Sequence, residues 1–432
     1  MPLQFPSPYD QLQRYVDIRS DVETKEGRSG YRQIVDDIRD LVHRWGLGDA
    51  KIHEFEDGLP RDPGEPMPAN LTIDVGDGDE MGIWYFHADG INADSMYPPG
   101  INPYHLRKAP GLPGIYEGSK SLDMASGMVA ELQALRGIEP LLKKTNRKIR
   151  VLCPYNEEGD SSGIHAARHL FRDAQWAIST EISVNSVLGQ NGRLLYARPG
   201  RARFDVQIEV YEKGHMGRVG ELPKDKQINF VLRNILEKVE ALDFPNPLGE
   251  RDTRLAKSYC HPHDWGTIRQ SGYSMNTRGF MEVEAIYTDP DLQLAAIEHS
   301  IRNALAAGVG SAAHGTVELQ QGRRTPWIKP WYEDPNHPLV RSGQEELSHI
   351  LREHAGRFPQ EKFAKSAVLA MGKPVAEEAV MSNEGVPTIV LPPDGDGEHS
   401  GRERTSLHYI EHVMIPFLRN MAGTEKQLYE TA

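Results

Sequence analysis

The sequence predicts an α/β protein: a mixed sheet with helices, into which a smaller α+β domain is inserted. Three observations carry that fold. Apolar stretches at 81–90, 148–158, 176–182 and 386–400 each run into acidic residues or a histidine, as strands do when the carboxyl edge of an open sheet carries a site. Segments between them place apolar residues at helical spacing. From about Ala197 the pattern becomes β-α-β-β-α-β, a ferredoxin-like order. The domain limits that follow are 1–196 and 327–432 for the first domain and 197–326 for the insert.

Composition bounds the function. The 432 residues, 38% hydrophobic and 26% charged, suit an ordinary globular protein with room for two domains. No run approaches the roughly 18 apolar residues of a membrane span. The opening 1-MPLQFPSPYD-10 has neither the basic nor the apolar part of a leader, so a cytoplasmic location with no membrane partner is expected. A net charge of −13 argues against nucleic acid as a main partner. Two cysteines, Cys153 and Cys260, make neither a disulfide framework nor a thiolate cluster. Any metal must then be held by His, Asp and Glu.

In chain order, 8–20 and 30–45 read as amphipathic helices, and 48–58 and 69–80 as strands. The stretch 81-MGIWYFHADG-90 then delivers His87 and Asp89 to a strand end. Alternation sends both side chains to one side, so an imidazole can bind a metal while the carboxylate two residues on supports it. Alone, an H-x-D more often ends an ordinary strand. The Gly- and Pro-rich stretch 96–118 is long for a connector and suggests a functional loop. In 118–135 a turn feeds a helix opened by Asp123, which is either an N-cap or a carboxylate ligand at the sheet rim.

The strand 148–158 ends in Glu157 and Glu158. Adjacent side chains at a strand end point opposite ways, so one can bind metal while the other faces water as general base. A turn and helix follow at 159–171, then a strand ending at Glu181, and near the C-terminus a strand whose exit loop presents His399. Oxygen and nitrogen ligands without thiolate suit Zn²⁺ or Mn²⁺, one or two ions per subunit.

The order H-x-D, G-x-x-x-x-D-M-x-x-G, E-E-G, a strand-end acid and a late G-D-G-E-H resembles the dinuclear zinc peptidase family of carboxypeptidase G, aminoacylase, acetylornithine deacetylase and succinyl-diaminopimelate desuccinylase, peptidase family M20. The resemblance spans most of the chain. It implies a zinc-peptidase catalytic domain with an inserted lid and dimerisation domain, hence a homodimer acting on a small molecule. It also implies roles. His87 and Glu181 become ligands of one metal, Glu158 and His399 of the other, and Asp123 the bridge between them. Glu157 becomes the general base, Asp89 the carboxylate that orients His87, and Glu403 a supporting acid. His215, in 213-KGHMG-217, matches a histidine that steadies the oxyanion in the partner subunit's site.

The insert reads as strands at 201–211, 279–287 and 313–319 and helices at 227–243 and 290–308, with one strand of the β-α-β-β-α-β order given no residues, and the first domain resumes near Trp327 with a helix over 338–356. It departs from the family where a substrate carboxylate would bind. Asn276 is kept, but the expected arginine is replaced near Tyr287; Arg278 is either its substitute or a surface residue. The loop 371-MGKPVAEEAV-380 departs too. Trp84, Tyr85, Tyr97, Tyr104, Tyr116 and Tyr155 gather in sequence around the ligands and either pack or line an aromatic pocket. Two activities follow from the resemblance: hydrolysis of an amide or peptide C–N bond, or an aromatic aminohydrolase reaction on an electron-poor aminobenzoate such as 5-nitroanthranilate, with release of ammonia.

Overall fold

The computed structural model describes residues 5–58, 60–182, 188–189, 192–210, 223, 227–246, 258–268, 278–310, 313–320, 327–357, 364–372 and 376–429. The chain divides into two compact units, Met1–Arg198 with Tyr332–Ala432, and Pro199–Trp331.

The first unit begins with the two amphipathic helices that the spacing predicts, Pro8–Val16 and Lys25–Trp45. Each has a clear start signal: Ser7 and Asp10 form a reciprocal capping box, and the Thr24 hydroxyl accepts from the Gly27 N–H. Gly46, at φ 59°, closes the second helix in the left-handed conformation that glycine adopts without penalty.

The central sheet runs in the order Asp49–Glu54, Ala69–Val75, Arg147–Cys153, Glu80–Tyr85, Trp176–Ser179, Thr388–Val390, Arg193–Arg198. Glu80–Tyr85 is parallel to both of its neighbours, and Thr388–Val390 is parallel to Trp176–Ser179. Four strands therefore end at one edge. Their interiors, including Ile83, Trp84, Val151, Ile178 and Ile389, are buried, which is why they read as mostly apolar, although Arg147–Cys153 keeps an alternation at Lys148 and Arg150. Gly82 has no side chain because a Cβ there would lie well inside contact distance of the Trp176 ring on the neighbouring strand.

Two expected elements are shorter than their periodicity suggests. The helix after Gly118 starts only at Gly127. Before it, Ser121–Ser126 forms a wide turn in which Asp123 has left helical geometry (φ −108°, ψ 96°). The Leu122 and Asp123 N–H groups donate to the Glu403 carboxylate (2.8 and 3.0 Å) instead of entering a helical ladder. The strand near the C-terminus is only Thr388–Val390.

The 96–118 loop is tied down by a second, small antiparallel sheet ordered Gly395–Asp396, Arg404–Ser406, Ile115–Glu117, Arg107–Lys108. Its hairpin 397–403 carries His399.

In the second unit an antiparallel sheet runs Tyr259–Ile268, Arg278–Tyr287, Gly200–Val210, Ala313–Leu319. Helices Ile228–Glu240 and Leu294–Val309 are amphipathic, and Phe204, Val206, Leu232, Ile235 and Ile301 share one core with them. In chain order the strands stand 2-3-1-4, the ferredoxin-like arrangement. Tyr259–Ile268 escaped the sequence reading because Pro262 and the polar residues around it interrupt alternation, and the strand shifts register between Pro262 and Asp264. Among the described residues no helix is long and apolar enough to cross a membrane.

Candidate metal centre

The carboxyl ends of the parallel strands deliver the polar residues to one place. His87 and Asp89 follow Glu80–Tyr85, Glu157 and Glu158 follow Arg147–Cys153, and Glu181 follows Trp176–Ser179. The wide turn supplies Asp123, and the small-sheet hairpin supplies His399. That hairpin is tight. A Cβ on Gly395 would overlap the Arg404 carbonyl, Gly397 sits at φ 77°, and His399 itself holds the left-handed φ of 52°, uncommon for a residue with a side chain.

Two triads that could hold a metal ion result: His87, Asp123 and Glu181, and Asp123, Glu158 and His399, with the donor atoms of each triad within 4.8 Å of one another. Asp123 belongs to both. Its Oδ1 lies 3.0 Å from His87 Nε2 and its Oδ2 lies 3.2 Å from His399 Nε2. The N-cap alternative for Asp123 is thereby set aside, since the side chain faces two imidazoles rather than helix N–H groups. Glu181 Oε2 is 3.3 Å from His87 Nε2, and Glu158 Oε1 is 3.1 Å from His399 Nε2. Glu157 stands at the rim, Oε2 4.0 Å from His87 Nε2.

Asp89 supports from behind. Its Oδ1 lies 3.4 Å and its carbonyl oxygen 3.2 Å from His87 Nδ1, while its Oδ2 accepts the Glu158 backbone N–H at 3.0 Å. Asp89 thus holds the His87 ring through its carbonyl oxygen and the Glu158 backbone through its carboxylate.

The charges are unbalanced. Burial and the neighbouring carboxylates Glu181, Glu377 and Glu158 push the Glu157 carboxyl well above its ordinary range. Burial and the Asp123 charge raise that of Glu158, against the pull of His399. His399 is pushed up to about 12, first by Glu158 and then by its contact with Asp123. For His87, burial favours the neutral ring, but Glu181, Asp123 and Asp89 outweigh it and hold the proton. Protons are thus held where cations would sit. The Glu181 Oε2 and Asp89 Oδ1 atoms are buried without a hydrogen-bond partner, a cost that a bound cation would remove from the Glu181 carboxylate. Two imidazoles with three carboxylates are a fitting donor set for a pair of hard-to-borderline ions.

The structure brings together His87, Asp89, Asp123, Glu157, Glu158, Glu181 and His399, with Glu403 behind them. Glu403 is buried, and burial lifts its carboxyl to about 8. It accepts three backbone N–H groups, from Lys120, Leu122 and Asp123 (3.0, 2.8 and 3.0 Å), and so shapes the turn that presents Asp123. Glu403→Ala strands those donors and is expected to lower stability by at least about 1–3 kcal/mol and to weaken metal retention. Glu403→Gln keeps an acceptor and loses less. Denaturation midpoints and bound metal measured side by side check both.

Other expected residues fall elsewhere. His215 and Asn276 lie outside the described residues. Arg278 is exposed on the second unit's sheet, 3.4 Å from Glu209, and Tyr287 is a core residue there whose hydroxyl accepts from Trp327 Nε1 at 2.7 Å. The aromatic residues pack. Trp84 and Tyr85 are buried, Tyr155 meets Tyr31 edge-on, Tyr116 meets Tyr9, and Arg19 and Arg107 cover Tyr104 and Tyr97.

Sequence reasoning missed two supports. Glu377, fully buried, accepts from the Tyr85 hydroxyl at 2.9 Å. Arg198 pairs with the buried Glu378 and donates to the Ile182 carbonyl at 2.7 Å, anchoring the chain just after Glu181. The Glu-Glu pair in 371–380 was the available signal, visible only as a departure from the family pattern.

No family model and no curated protein matches the chain in sequence. Solved structures do match it in shape. Human carnosine dipeptidase 1 is 15% identical with a TM-score of 0.66 over 96% of this chain and 97% of its own. A dipeptidase from Saccharomyces cerevisiae is 13% identical with a TM-score of 0.70 over 96% of each. A dinuclear metal binding peptidase of the M20 family from Bacillus subtilis is 11% identical with a TM-score of 0.59 over 96% of each. At these identities the likeness shows the fold: the chain has the two-unit α/β architecture of M20-family metallopeptidases.

Proposed function

We propose that this chain is a metal-dependent hydrolase that cleaves a C–N bond of the amide or peptide type in a small substrate. The observation that carries the reading is Asp123 shared between two ligand triads, with the Glu157 carboxyl at their rim. His87, Asp123 and Glu181 would hold one ion and Asp123, Glu158 and His399 the other, Zn²⁺ or Mn²⁺ by their chemistry. Such ions supply Lewis acidity, acidifying a water and polarising the scissile carbonyl. Glu157, ionised once bound cations offset the neighbouring carboxylates that raise it, would take a proton from the attacking water and return it to the departing nitrogen. Asp89 keeps the His87 ring in place throughout.

The test is a screen of N-acyl amino acids, dipeptides and aminobenzoates against protein reconstituted with Zn²⁺ or Mn²⁺. Turnover of an amide or peptide supports the reading. Ammonia release from aminobenzoates, with no amide or peptide cleaved, replaces it with the aromatic aminohydrolase.

The reading includes a homodimer formed through the second unit, with His215 of each subunit serving the other's site. Its motive is the sheet edge Tyr259–Ile268, where Tyr259, Trp265 and Ile268 are exposed; edge strands with apolar side chains invite pairing. The 48.5 kDa chain should sediment at twice its mass, and Trp265→Lys should shift it toward monomer. A monomeric wild type at micromolar concentration ends this part of the proposal. Both cysteines are free and buried, which suits the cytoplasm.

A further inference from the structure

Three histidines outside the site come together between two helices of the first unit. His354 lies on Pro338–Arg357, and His408 and His412 lie four residues apart on the helical stretch Leu407–Gly423. Four residues is one helical turn, so both face the same neighbour. His354 is buried and the His412 side chain is 42% exposed, so the cluster runs from the interior to the surface.

Two of the three ring spacings match what a shared tetrahedral cation requires, and the third is shorter. An imidazole bound through nitrogen at about 2.0–2.1 Å places its ring centre about 3.2 Å from the ion, so two such ligands at a tetrahedral angle have centres about 5.2 Å apart. The centres of His354 and His408 are 5.1 Å apart, those of His354 and His412 are 5.2 Å apart, and those of His408 and His412 are 4.3 Å apart. One ligand nitrogen from each lies within 4.8 Å of the others. Tetrahedral nitrogens stand about 3.3 Å apart, and ring rotation about the Cβ–Cγ bond closes that difference while largely keeping the centres in place.

The chemistry of the donors also separates this cluster from the catalytic one. Among the described residues the group that gathers within 4.8 Å is imidazole alone; the Glu411 carboxylate, 4.0 Å from His412 Nε2, is not part of it. Three imidazoles select a borderline ion over Mn²⁺, Mg²⁺ or Ca²⁺, which want oxygen. Burial lowers the pKa of His408, the direction that favours the neutral imidazole that metals bind.

We propose that His354, His408 and His412 form a separate binding site for a borderline divalent cation, Zn²⁺ being the natural occupant. The site joins Pro338–Arg357 to the C-terminal helix. It does not rest on the hydrolase reading, because it shares no residue with the other centre.

The test uses the full chain, stripped with chelator and dialysed against Zn²⁺, with metal counted by atomic absorption. Wild type should hold one ion more per chain than His408→Gln or His412→Gln, and both variants should keep the wild-type circular dichroism spectrum and the wild-type rate on any substrate the screen finds. Residual binding at this site should be at least ~10-fold weaker, since even indirect disturbance of a metal ligand costs 10- to 100-fold. His412 is exposed enough that its variant should fold even if His408→Gln does not. Equal Zn²⁺ stoichiometry in wild type and His412→Gln overturns the proposal.

Discussion

Glu157→Gln is expected to cut turnover by on the order of 10²- to 10⁴-fold, the range for a lost general base, while bound metal stays unchanged. The side chain keeps its size and one oxygen but can no longer accept a proton. Its position supports this separation of roles: Glu157 is 4.0 Å from His87 Nε2, whereas Glu158 is 3.1 Å from His399 Nε2. Glu158→Gln should accordingly lose metal. Elemental analysis beside a rate measurement on each variant decides the matter, and metal lost from Glu157→Gln but kept by Glu158→Gln would reverse the pair.

Removing metal altogether should have a still larger effect. Chelator-treated protein is expected to lose all measurable turnover and to regain it with Zn²⁺ or Mn²⁺. It should also melt at lower temperature, because an ion present at 100 times its dissociation constant stabilises the folded state by about 2.7 kcal/mol. The physical cause is the group of Asp123, Glu157, Glu158 and Glu181, of which Asp123 and Glu181 are buried, gathered around the two imidazoles of His87 and His399. Full turnover in demonstrably metal-free protein would sink the reading.

The candidate ligands were legible in the sequence for a physical reason. A strand buried on both faces is mostly apolar, so the acid or histidine that follows it stands out, as His87, Glu158 beside Glu157, and Glu181 do. Asp123 was visible as a residue but not in its geometry, because the turn is set by Glu403, distant in sequence but adjacent in space. The small sheet left no trace, since strands of two or three residues have no period to detect. Polar residues and Pro262 hid Tyr259–Ile268. His408 and His412 have a readable helical spacing, but His354 completes the triad from another helix, and only packing brings it there.

The placement of Thr388–Val390 between Trp176–Ser179 and Arg193–Arg198 has a consequence for biosynthesis. Both flanking strands leave the ribosome long before their shared neighbour, with the whole of Pro199–Trp331 made in between. Until then the nascent chain carries two apolar strands with unpaired edges facing an open slot, the kind of surface that pairs with other chains. The second unit, continuous in sequence, is free to fold during that wait. The first closes only when nearly the whole polypeptide has emerged, and its last ligand, His399, arrives with the strand that closes it.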